Sequence, residues 1–241
     1  MALQDANRDW QTNIERARQL MSVSDQTNLM DDRNALERQI SVVETLQNLA
    51  FHDADAGGIS DMADWCLRSW LRILSHHPQE VRVLSAIGRW WLARAQPLLA
   101  RIAVHDNTSS SGSSHSPTRT LASRARTTAS SEERQADRAA HEAEARMHLP
   151  DYVEARGVLL PATEYLRQAV AAATEQRILT GDLLLAAAEA YMSLGNVSYA
   201  RVGEGIFEHA VLYLRAASNI SGFTLPRHLR RWLDDYGRFV S

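Results

Sequence analysis

The chain has 241 residues, 45% of them hydrophobic and 23% charged, with a net charge of -3. That is enough chain for one sizeable or two small cores, and a near-neutral balance gives no global reason to expect nucleic acid or an acidic membrane surface. One cysteine excludes an intramolecular disulfide, and without a signal segment or a long apolar run the chain is expected to be soluble and intracellular, cytoplasmic or nuclear, with no membrane partner.

Only six prolines and eleven glycines punctuate a chain rich in Ala, Leu, Arg and Glu, which favours helix almost everywhere. No window alternates apolar and polar residues long enough to argue for a sheet, so the fold class is all-α. Residues 6–22 predict a first amphipathic helix through Trp10, Ile14, Ala17 and Met21. Residues 33–51 predict a second through Leu36, Ile40, Val43, Leu46 and Leu49. All 26 basic residues are arginine, which the codon bias of a GC-rich genome explains more simply than selection against lysine modification.

Residues 62–104 hold four of the six tryptophans and predict a helical hairpin and most of a second. Met62, Cys66, Trp70 and Ile73 form one stripe, stopped by Pro78. Val81, Leu84, Ile87, Gly88, Trp91 and Ala95 form the next. Two amphipathic helices joined by so short a turn pack antiparallel. A glycine inside a helix costs about 1 kcal/mol, so Gly88, beside two tryptophans, predicts the close approach of another helix.

These residues resemble the tetratricopeptide repeat, which carries leucine-glycine and an aromatic on a first helix, then alanine, an aromatic and proline on a second, with a period of about 34 residues. Leu84, Ile87, Gly88 and Trp91 match the first half in spacing. Cys66, Trp70 and Pro78 match the second half of the preceding unit, and Ala100 and Val104 follow Cys66 and Trp70 at that same period. Ile73 stands where the family has a small residue, and no unit is complete.

After Val104 the composition changes. Residues 106–131 are mostly Ser, Thr, Gly and Arg with a single leucine, too little apolar surface to offset the entropy of ordering, and are expected to be disordered. They divide an N-terminal helical region, 1–105, from a C-terminal one, 132–241, as a linker or as a long loop in one array. The apolar stripes resume in the same style, which favours the loop. Residues 132–148 read as a charged surface helix ended by Leu149 and Pro150. Pro161 reads as the opening of a helix through Tyr165, Leu166, Ala169, Val170 and Ala173. Next, Leu184, Ala187, Ala188, Tyr191 and Gly195 give a second patch of resemblance to a tetratricopeptide first helix. Asn196 to Gly205 reads as an enlarged loop, before a helix with Ala210, Leu214 and Ala217. A last helix, with Leu229, Trp232, Leu233 and Tyr236 inward, caps the array.

The chain carries no motif for catalysis, metal or cofactor. His141 and Glu142 begin a zinc-protease-like pattern, but Ala145 stands where the second ligand belongs. Gly203 and Gly205 begin a dinucleotide pattern, but Glu208 replaces the third glycine and no strand precedes it. Cys66 sits on a buried stripe, where a thiol is an inert small hydrophobe.

The resemblance implies a short α-solenoid of antiparallel helical hairpins, a non-enzymatic scaffold or complex subunit. It would bind a protein, as a peptide or helix, in a concave groove lined by first-helix residues, with Arg89, Arg94 and Glu189 facing the groove. The alternative is a nucleic-acid-associated regulator using Arg227, Arg230 and Arg231 beside Arg215 and His228. Asp234 and Asp235 partly cancel that charge, which favours a solvated helix face.

Overall fold

Helix follows helix along the chain. The computed structural model describes residues 2–110, 138 and 141–237, and among them there is no strand. The elements are α1 (Ala2–Gln26), a 3-10 turn (Leu29–Asp31), α2 (Leu36–Ala50), α3 (Ser60–His76), α4 (Val81–Ser110), α5 (Pro150–Glu175), α6 (Gly181–Asn196), α7 (Ala200–Ser218) and α8 (Arg227–Tyr236). Residues 141–146 are also helical. From α2 onward each helix packs against the next, and α2 also touches α4, as α4 touches α6.

The spine is the pair α4 and α5. Val81, Leu84, Gly88, Trp91, Ala95, Leu98 and Ile102 recur along α4 at alternating spacings of three and four residues. Along α5 so do Tyr152, Ala155, Leu159, Ala162, Leu166, Ala169 and Ala173. Such a seam keeps one stripe facing one partner over many turns. The two run antiparallel: Gln176 Nε2 donates to the carbonyl of Gln79 at one end (2.9 Å), and Arg101 pairs with Asp151 at the other (3.0 Å). Small residues meet large ones across the seam. A β-carbon built on Gly88 would stand 2.5 Å from Leu166 Cγ and 3.2 Å from the Ala162 carbonyl oxygen, the close approach that its place in a helix predicts.

Several expected boundaries are not boundaries. Pro97 and Pro161 both lie inside helices, so Ala100 and Val104 share α4 with Gly88 and do not belong to a second helix of their own. An internal proline costs about 3 kcal/mol. The seam offsets it, because burying each aliphatic side chain contributes about 1.5–3 kcal/mol, and Leu98 and Ile102 beyond Pro97 are buried, as is Leu159 before Pro161. The helix over 141–146 ends just before Leu149 and Pro150, as expected, and Pro150 then opens α5, where its missing N–H costs nothing. Residues 106–110 of the expected disordered segment form the last turn of α4; the rest of it, 111–131, lies outside the described residues, as do 132–137 of the expected charged helix. Asn196 to Gly205 is no enlarged loop: only three residues separate α6 from α7.

The end of α4 is clamped to the start of α5 and to the segment just before it. Arg146 Nη1 donates to Asp106 Oδ1 (3.0 Å), and the Tyr152 hydroxyl donates to both Asp106 carboxylate oxygens (3.0 and 2.9 Å). Burial, with Asp106 second, pushes the Tyr152 phenol up to about 12.

The largest core joins α2, α3 and the first half of α4 around Ile40, Leu46, Met62, Trp70 and Ile87. Its indoles find acceptors, as buried indoles must. Trp65 Nε1 donates to both carboxylate oxygens of Asp25 at 3.1 Å, Trp70 Nε1 to Gln47 Oε1 at 2.7 Å, and Trp90 Nε1 to the Ala63 carbonyl at 2.8 Å. Cys66 is fully buried there, and burial pushes its thiol up to about 12. A thiol so held is neither accessible nor ionised. The native protein is therefore expected to give no colour with an aromatic disulfide reagent at pH 8, and one thiol per chain in denaturant. Fast labelling of the native protein would refute this packing.

Candidate partner-binding groove

Helices α2, α4 and α6 border one depression. It measures about 480 Å³, with Glu44 and Gln47 from α2, Ser85 and Arg89 from α4, and Leu183 from α6 on its walls. Each wall is tied to its neighbour. Gln47 accepts from Trp70 Nε1 and donates through Nε2 to the Ala86 carbonyl (3.1 Å), strapping α3, α2 and α4 together. Arg82 reaches from α4 to Glu37 (2.8 Å) and Glu44 (3.4 Å). Thr180 caps α6 by accepting from the Leu183 N–H, and Arg89 Nη2 donates weakly to the Asp182 carbonyl in that first turn (3.4 Å).

Arg89 thus lines the groove. Glu189, two turns further along α6, is half-buried and outside the groove lining; burial holds its carboxyl above the usual range, and the charges of His228 on α8 and Arg89 on α4 offset this only in part. His228 belongs to the surface that sequence reasoning set apart from the groove, and Gln47 to a helix expected to face the core. Arg94 stands apart. It lies five residues beyond Arg89, about 140° around the helix, and its guanidinium sits over the Trp90 ring, 5.8 Å from the centroid, outside the groove lining.

The matching surface on α8 is sparser. Arg227, Arg230 and Arg231 are exposed, Arg230 Nη2 donates to the Leu225 carbonyl (3.3 Å), and Asp234 and Asp235 follow within a turn. Arginines in the first turn and aspartates in the last oppose the helix dipole. Tyr236, expected inward, is 54% exposed.

The chain matches no protein family, no curated protein and no solved structure.

The described residues hold no group of three His, Cys, Asp or Glu able to bind a metal ion, and none of their helices is long and apolar enough to cross a membrane. The groove lining combines charged, amide and apolar side chains.

Proposed function

We propose that this protein is a non-enzymatic interaction scaffold, a short tetratricopeptide-like α-solenoid that holds a peptide or partner helix in the groove of α2, α4 and α6. The observation that carries this reading is the succession of contacts. First helices touch first helices, α2 to α4 and α4 to α6, and each also packs against the helix that follows it, a pattern that hairpins stacked in one direction would give. The departure from the repeat pattern is in length, since α4 and α5 have 30 and 26 residues. The nucleic-acid alternative has less behind it, because the α8 arginines are few and offset by the neighbouring aspartates.

Selection of a random peptide library against the full chain, with enriched peptides titrated by fluorescence anisotropy, tests the proposal. Arg89→Glu is expected to weaken binding about tenfold, as reversal of one groove charge does. Hydrogen-exchange protection by the peptide is expected in α2, α4 and α6. Peptides that bind Arg89→Glu equally well, or that protect other helices, overturn it.

A further inference from the structure

A second and larger depression lies at the other end of α6 from the groove, away from α2 and α4. It is an open trough of about 910 Å³ between the start of α7, the end of α8 and the segment around Met147. Its floor is aromatic: Phe207 and Trp232 lie 6.2 Å apart between ring centroids, and Trp232 and Tyr236 5.2 Å. Phe207 gains its position because Gly195 has no side chain; a β-carbon there would come within 2.7 Å of the Phe207 ring. The wall opposite α8 is fixed, since Arg156 donates to the carbonyls of Val197 (2.6 Å) and Met147 (2.8 Å), while Tyr199 meets His148 Nδ1 at 3.2 Å.

The rim is acidic. Glu144, Glu204 and Glu208 line the trough against a single basic residue, Arg201, and none of the four forms an ion pair among the described residues. Glu204 and Glu208 are one turn apart on an exposed face of α7, a like-charged spacing that disfavours the helix unless a cation comes between them. An apolar aromatic floor under unpaired carboxylates is complementary to a segment with aliphatic anchors and flanking Lys or Arg, whose cations meet both the carboxylates and the ring faces.

We propose that this trough is a docking site for a basic amphipathic peptide segment of a partner protein. It is independent of the α2–α4–α6 groove and shares none of its lining residues.

The probe is a synthetic amphipathic helix of leucine and lysine, fluorescein-labelled, titrated into the full chain at low salt beside a leucine–glutamate helix of the same pattern. The lysine helix is expected to bind and the glutamate helix not. Glu204→Lys/Glu208→Lys is expected to weaken binding about tenfold or more, and both side chains are exposed, so the melting temperature stays put. Hydrogen-exchange protection is expected in α7 and α8. Equal binding of the two helices, indifference to the double variant, or protection in α2 and α4 overturns the proposal, and only the last of these bears on the groove. A dimer that Tyr236→Asp dissolves would seat a second copy in the trough and also overturns it.

Discussion

Trp70→Ala is expected to remove about 3–5 kcal/mol of folding stability, a large share of the roughly 5–15 kcal/mol a domain possesses. Trp70 is completely buried among α2, α3 and α4, so its loss leaves a cavity walled by rigid helices rather than a surface that collapses. It also removes the donor that holds Gln47 Oε1 at 2.7 Å. Gln47 is half-buried on the groove wall, so its freed amide oxygen costs less than the roughly 1–3 kcal/mol of a fully buried unpartnered group. Because Gln47 straps α2 to the Ala86 carbonyl of α4, the damage reaches the groove. Trp70→Phe keeps most of the volume but not the donor, and is expected to cost less than half as much. Urea titration followed by circular dichroism measures both. A loss under about 2 kcal/mol for the alanine variant would mean that neighbouring helices close the gap and that the core is looser than its burial implies.

Two glycine-to-alanine changes on facing helices are expected to act in opposite directions. At Gly88 a methyl group meets Leu166 Cγ at 2.5 Å, and the Ala162 carbonyl blocks retreat. Alanine improves helix propensity by about 1 kcal/mol, but forcing the seam apart costs about 1–3 kcal/mol or more, and the strain is shared by every layer of α4 and α5. Net destabilisation of about 1–2 kcal/mol is the expected result. At Gly157, on the exposed side of α5, an added β-carbon meets nothing within 4 Å, so only the propensity gain remains and stability rises by about 0.5–1 kcal/mol. Thermal denaturation of the two variants decides it. If Gly88→Ala proves neutral, the helices are not held at the distance that the seam implies.

The close approach at Gly88 was readable in advance because a mid-helix glycine has few uses other than turning or making room. The same logic misled at Gly203 and Gly205, which read as loop. There both lie inside α7: a β-carbon on Gly203 would stand at ordinary contact distance, 3.4 Å, from the Gly195 carbonyl oxygen of α6, and one on Gly205 would meet nothing within 4 Å. Local chemistry does not separate these uses; the partner helix does. Pro97 and Pro161 hid the length of α4 and α5 for a related reason. A proline acts on its own turn, whereas the seam that overrides it spans seven layers and is visible only when the spacing of three and four is followed across the interruption. For the candidate groove, Arg89 was named only through the resemblance to the repeat, whereas the angle separating Arg94 from it was present in the spacing. The approach of His228 to Glu189 depends on how α8 folds back over α6, and nothing in the spacing of either helix records that.

The clamp of Asp106, Arg146 and Tyr152 has a consequence for how the chain tolerates change. It holds the end of α4 to the start of α5, so the spine is closed at its base whatever the length of the interval 111–137. The entropic cost of such a closure grows only with the logarithm of the intervening length, about 0.6 kcal/mol for each doubling. Evolution is thereby free to lengthen, shorten or recode that interval, and a protein engineer to splice a reporter into it, with the helical body indifferent to the cargo.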